Sequence, residues 1–330
     1  MPTMIAMYDK GLEHIGKRLD ALRLPDVTVH TFGKDGHFRI DGKTVAPGGV
    51  ELDYLWLNSS INMDGFQEGA FKTALACKRV GVLQTFNAGL DHPFYKAMAE
   101  KGTRICNSSA QAVCISEFIF AQVFALMQPI EKQRALQASR TWEVTRYREI
   151  SQTTWLIVGF GPIGRELTKR LKAFGAKVIA IRRSRNTEDL ADVAGTIPDL
   201  PALLPEADVI VFACPLNAET ADLADSRFFS ATKKGAIVVN IARGGVIDDK
   251  ALLAALDDDR LSAAVLDVFR QEPLPTHDPF WSHPKVRMTS HTSFAGSGVR
   301  ERWDLLFLDN LTRFINGQSL VNEVDPKTLV

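Results

Sequence analysis

Apolar residues along this chain cluster in short unbroken runs, and between the runs they recur at helical spacing. The runs predict strands over 3–8, 27–32, 52–58, 81–86, 104–107, 154–158, 177–181, 209–214, 236–241, 263–268 and 286–289. The spaced stretches predict helices over 12–21, 65–78, 93–100, 163–174, 201–204, 250–256 and 299–316. Strands that alternate with crossover helices lie parallel, in sheets covered on both faces, which gives an α/β fold class. The Gly-rich stretch 33–49 reads as a hairpin or surface loop. The longest apolar stretch, 110–127, is interrupted by Ser116, Glu117 and Gln122, so it reads as a buried helix and not a membrane span. That helix is the natural joint between a smaller α/β domain over 1–102 and a nucleotide-type domain over 103–303.

The run Val158-Gly159-Phe160-Gly161-Pro162-Ile163-Gly164 lies between a predicted strand and a predicted helix. In a Rossmann-type doubly wound sheet, Gly159 permits the tight turn and Gly161 lets the backbone approach a pyrophosphate. Gly164 lets the helix pack on the strand. The N–H groups at the helix start then face the anion. Gly159, Gly161, Pro162, Ile163 and Gly164 are therefore candidate cofactor contacts. After the next strand come Arg182, Arg183, Ser184 and Arg185, where an NAD site places a carboxylate for the ribose 2′-OH. Guanidinium groups suit a 2′-phosphate instead, so NADP(H) is the preferred cofactor, with NAD(H) the second choice. The plain alternative is a solvated basic loop.

Open α/β sheets bind ligands beyond the carboxyl ends of their strands. There the sequence places Asn87-Ala88-Gly89, Cys214-Pro215, Ile241-Ala242-Arg243, Asp267, Glu272 and His291. Reduction of a 2-oxo acid needs a cation for the substrate carboxylate and carbonyl, and Arg243 supplies a fork. It also needs a proton donor near neutral pH, which His291 supplies, with Glu272 to fix its tautomer. The Ala88 and Gly89 amides suit a carboxylate. Cys214, Pro215, Ile241, Ala242, Arg243, Asp267 and His291 complete the candidate cofactor contacts. Taken singly, each has a structural alternative: a turn arginine, a solvated glutamate, one histidine among seven.

The 39 basic and 39 acidic residues cancel, which argues against nucleic acid as a partner. Cys77, Cys106, Cys114 and Cys214 are too scattered for a disulfide framework or zinc ribbon, and no metal-ligand spacing occurs. The N-terminus lacks the pattern of a signal peptide, so a reducing cytoplasm is the expected location.

From about Val80 to Pro326 the chain resembles the D-isomer-specific 2-hydroxyacid dehydrogenases. The resemblance lies in the glycine loop, in 239–248 around Arg243, in 266–275 around Glu272 and in Thr289-Ser290-His291. It implies Arg243 as substrate clamp, His291 as acid/base, Glu272 as its partner, and Asn87-Ala88-Gly89 as holder of the substrate carboxylate. A flavodoxin-like substrate domain completed by the tail 304–330 is also implied, as is a homodimer. Arg182 and Arg183 resemble the glyoxylate/hydroxypyruvate reductase branch, while Ser290 and Phe294 depart from the family pattern. The rival readings are an NAD(H)-preferring enzyme for another substrate, a corepressor-like dinucleotide sensor, and a methyltransferase.

Overall fold

The computed structural model describes residues 2–183 and 190–329, so Ser184 and Arg185 of the basic run lie outside the described residues. The chain forms two compact units, residues 1–111 with 297–330, and residues 112–296.

The first unit is built on strands β1 (Thr3–Tyr8), β2 (Val27–Phe32), β3 (Phe38–Ile40), β4 (Lys43–Val45), β5 (Glu51–Leu57), β6 (Arg79–Thr85) and β7 (Arg104–Cys106). Their order is β4-β3-β2-β1-β5-β6-β7. The pairings β2–β3 and β3–β4 are antiparallel and the others parallel, and β3 and β4 form a hairpin inside the Gly-rich stretch. Alternate residues of the central strands serve opposite faces. Ala6, Tyr8, Leu55, Leu57 and Leu83 pack with the helices Gln67–Ala76 and Pro93–Glu100. Ile5, Met7, Tyr54, Trp56 and Val82 pack with Phe307, Leu308 and Leu311 of the helix Val299–Ile315. Phe307 stacks on Trp56, with ring centroids 4.1 Å apart. The C-terminal helix thus belongs to the first unit because it covers apolar sheet that would otherwise face water.

The second unit holds β8 (Thr154–Val158), β9 (Lys177–Ile181), β10 (Val193–Gly195), β11 (Val209–Phe212), β12 (Ala236–Asn240), β13 (Leu261–Leu266) and β14 (Val286–Met288). The order β10-β9-β8-β11-β12-β13-β14 is parallel throughout. It is the doubly wound order, with the reversal between β8 and β11. The helix Ala112–Met127 buries Ile115, Ile119 and Val123. Among the described residues no single helix is long and apolar enough to cross a membrane.

Two differences from the sequence reading have physical causes. The units part at 111/112 and 296/297 rather than at 102/103 and 303/304. The reason is that β7 hydrogen-bonds to β6 and so keeps the following residues in the first unit. Strands β11 and β13 end at Phe212 and Leu266, before Cys214 and Asp267. Beyond Leu266 the Asp267 side chain takes its hydrogen bonds from the loop after β14 instead.

Candidate active site

A single register row crosses the second sheet through Gly195, Ile181, Val158, Phe212, Asn240, Leu266 and Met288. Arg182, Gly159, Cys214, Arg243, Asp267 and His291 all follow this row by three residues or fewer. Residues far apart in sequence therefore leave the sheet along one edge.

Gly159 has φ +96° and donates its N–H to the Ile181 carbonyl at 2.9 Å. A Cβ there would lie 2.6 Å from the Ala213 carbonyl and the Cys214 nitrogen. The turn therefore needs glycine, and it touches the strand end across the switch point. Gly164 has no room either, since a Cβ would sit 2.9 Å from the Gly159 oxygen and 3.3 Å from Ile157 Cγ2. Gly161, the N-cap of the helix Pro162–Ala173, has open space where its Cβ would point. Close quarters on the protein side and open space over Gly161, beside a helix N-terminus, fit the pyrophosphate of a dinucleotide. Because Gly159 bonds to Ile181, the basic residues Arg182 and Arg183 begin next to this loop. Burial raises the Cys214 thiol to about 11, so it stays protonated at neutral pH and is no nucleophile. Pro215 beside it is exposed, whereas Ile241 and Ala242 are buried under the turn that carries Arg243.

Asn240 braces the arginine turn, its Oδ1 accepting the Ala242 N–H and its Nδ2 donating to the Arg243 carbonyl, both at 3.0 Å. The Arg243 Nη1 donates to the Ala242 carbonyl at 2.7 Å. A Cβ on Gly244 would collide with the peptide joining Phe269 to Arg270. The arginine turn thus lies directly on the segment that leads to Glu272.

His291 Nδ1 lies 2.8 Å from Glu272 Oε2, while Glu272 Oε1 accepts the Phe269 N–H at 2.9 Å. A carboxylate only accepts, so Nδ1 carries the proton and Nε2 is left to exchange one with a reactant. Both side chains are partly exposed, at 42% and 36%. An ion pair so placed contributes only ~0–1 kcal/mol to stability, so its role is orientation.

His291 adopts φ +50°, a conformation that costs a non-glycine residue about 1–3 kcal/mol. Asp267 holds it there. This carboxylate is fully buried. Its Oδ1 accepts from Thr289 Oγ1 at 2.5 Å and from the Thr292 N–H at 2.8 Å; its Oδ2 accepts from the Ser293 N–H at 3.0 Å. The Asp267 carbonyl accepts the His291 N–H at 2.8 Å. Asn240, Thr289 and this bracing by Asp267 escaped the sequence reading, although each sits inside a motif that it singled out.

Asn87, Ala88 and Gly89 lie in the first unit, just past β6. The Asn87 carbonyl accepts from the Ser108 N–H at 2.9 Å, and the Ala88 carbonyl from Asn107 Nδ2 at 2.7 Å. In a trans peptide the N–H points opposite the carbonyl, so the Ala88 and Gly89 amides both face away from the 107–108 segment. Successive N–H groups turned to one side suit a carboxylate. Among the described residues no hydrogen-bond acceptor meets either amide, nor does any group of His, Cys, Asp and Glu form a metal cage.

The sequence profile of the family described as "D-isomer specific 2-hydroxyacid dehydrogenase, NAD binding domain" matches residues 120–293. The chain belongs to this family. It is therefore an NAD(P)-dependent oxidoreductase. Glyoxylate/hydroxypyruvate reductase A of Citrobacter koseri is 30% identical over 211 residues, 64% of this chain and 67% of that one. The 4-methyl-2-oxopentanoate reductase A of Aspergillus oryzae is 32% identical over 241 residues, 72% of each chain. A D-isomer-specific 2-hydroxyacid dehydrogenase family structure from Aeromonas salmonicida superimposes with a TM-score of 0.76. It is 28% identical, and the match covers 99% of this chain and 100% of that one. The chain spans about half the length of the D-3-phosphoglycerate dehydrogenases that it matches.

Proposed function

We propose that this dehydrogenase uses NADPH in preference to NADH to reduce a small 2-oxo acid of the glyoxylate or hydroxypyruvate type to the D-2-hydroxy acid. The observation that carries this reading is the His291–Glu272 pair, set at the same strand-end edge as Arg243 and the glycine loop. When bound, the reduced nicotinamide supplies a hydride to the carbonyl carbon. Arg243 holds the carboxylate and draws electron density to the carbonyl oxygen. His291 passes its Nε2 proton to that oxygen, and Glu272 stabilises the ring while it is cationic. The Ala88 and Gly89 amides hold the substrate carboxylate.

Steady-state oxidation of NADPH and NADH over a panel of 2-oxo acids tests the proposal. Glyoxylate or hydroxypyruvate with NADPH is the expected best pair. Tight cofactor binding with no turnover on any oxo acid would favour the sensor reading. The panel includes 4-methyl-2-oxopentanoate, because the Phe294 ring lies edge-on to His291 with centroids 6.4 Å apart and offers apolar surface there. Substituting Glu272→Gln keeps the side chain's shape but removes the charge. The expected loss in kcat/KM is at least tenfold with NADPH affinity unchanged; full activity would remove Glu272 from the proton-transfer pair.

A homodimer is proposed on the segment after Met127. Its helix Ile130–Ala138 buries no side chain, and Trp142 is wholly exposed. Apolar surface of this kind marks association. Sedimentation velocity is expected to give twice the chain mass, and a monomer at micromolar concentration would refute the dimer. Location in a reducing cytoplasm is the accompanying proposal, supported by four buried cysteines that, among the described residues, form no disulfide.

A further inference from the structure

We infer that Tyr95 is a positioning residue for substrate binding, acting through its phenol on the turn that presents the Ala88 and Gly89 amides. The inference rests on the proposal above that this turn holds the substrate carboxylate.

Tyr95 lies on the helix Pro93–Glu100 and is 1% exposed, wedged between Phe71 and Phe94 at centroid distances of 5.7 and 5.1 Å. Its ring is thus fixed before the hydroxyl makes any bond. The hydroxyl accepts from Asn87 Nδ2 at 2.7 Å and lies 3.1 Å from Thr85 Oγ1. Thr85 Oγ1 also accepts the Asn87 N–H at 3.3 Å. One buried oxygen therefore ties the last residue of β6 to the side chain of the first residue of the turn. Burial raises the phenol's pKa, so the hydroxyl stays protonated and keeps both its donor and its acceptor roles.

The two carbonyls of the turn are held on the opposite side by Ser108 and Asn107. The Asn87 side chain is the remaining free rotor, and Tyr95 fixes it. Without the phenol oxygen, Asn87 is released to rotate, and the peptide after it gains freedom that substrate binding must remove. The cost falls on capture of the carboxylate and not on the chemical step, because the phenol's hydrogen bonds go to Thr85 and Asn87 at the turn.

The test is the substitution Tyr95→Phe, assayed with glyoxylate and with glycolaldehyde, an aldehyde of similar size that lacks the carboxylate. Loss of one buried hydrogen bond predicts a rise of about fivefold in KM for glyoxylate. The value of kcat should stay within about twofold and NADPH affinity should not change, while the preference for glyoxylate over glycolaldehyde falls by the same factor as KM rises. A double-mutant cycle with Asn87→Ala separates positioning from general loosening. If Tyr95 acts through Asn87, the double variant is no worse than Asn87→Ala alone; additive losses would overturn the inference. If the wild-type protein reduces both aldehydes equally well, the carboxylate reading of the turn itself fails. If that preference is large and a folded Tyr95→Phe variant keeps it with unchanged KM, the inference about Tyr95 alone is refuted.

Discussion

Replacing His291 by Ala is expected to lower kcat by about 10²- to 10⁴-fold, the contribution of a well-placed general acid. NADPH affinity should stay within a few-fold of wild type, because the proposed seat of the cofactor's phosphates is the glycine loop, on another part of the sheet edge. The geometry makes the prediction specific. Glu272 occupies Nδ1, so the proton that leaves the ring comes from Nε2, and no second titratable side chain bonds to that nitrogen among the described residues. Alanine at 291 keeps a Cβ and so does not relieve the strain of the φ +50° backbone, and only a modest change in thermal stability is expected beside the large kinetic one. Stopped-flow measurement of hydride transfer separates the two effects. A slow chemical step in a folded, NADPH-binding protein supports the acid role. A chemical step near the wild-type rate would remove it.

The second large effect is expected at the cofactor. Substituting Arg182 and Arg183 together by Gln should weaken NADPH by about 100-fold or more, while NADH changes by no more than about threefold. Each charge-assisted bond to a phosphate is worth about 1.5–3 kcal/mol, and the half-burial of Arg182 and the exposure of Arg183 place them at the lower end of that range. NADH has no 2′-phosphate and loses little. The measurement is the ratio of kcat/KM for NADPH and NADH in wild type and variant. A ratio above one that inverts supports 2′-phosphate recognition; equal losses for both cofactors would assign the pair to general electrostatic attraction.

Much of the second unit was legible because β8, β9, β11, β12 and β13 are apolar and buried over most of their length, a pattern that loops do not share. Thr154–Val158 and Lys177–Ile181 match their expected ranges. The glycine loop was legible because each of its glycines answers a different steric demand, and Gly159, Gly161 and Gly164 show three distinct surroundings. His291 and Glu272 were legible as residue types beyond strand ends, and the pairing expected of them corresponds to a contact of 2.8 Å between Nδ1 and Oε2.

What was hidden follows from the limits of local pattern. The bracing by Asp267 depends on three donors more than 20 positions away, and nothing in the alternation of polar and apolar residues marks it. Tyr95 reads as an ordinary aromatic on an amphipathic helix, since its hydroxyl's partners lie on another element. The helix Ile130–Ala138 lacks a buried face within this chain, so it carries no periodic signal to find. The boundary expected at 102/103 falls at 111/112 because β7, only three residues long, pairs with β6 and buries Ile105 and Cys106 in the first unit.

Hydride transfer from the cofactor to the substrate carbon is the claim on which the account stands, and isotope labelling reads it directly. The protein is incubated with hydroxypyruvate and with NADPH deuterated at both positions on nicotinamide C4, and the product is examined by NMR and chiral chromatography. The account predicts D-glycerate carrying a single deuterium at C2. Glycerate of the L configuration, or product without deuterium, would contradict it.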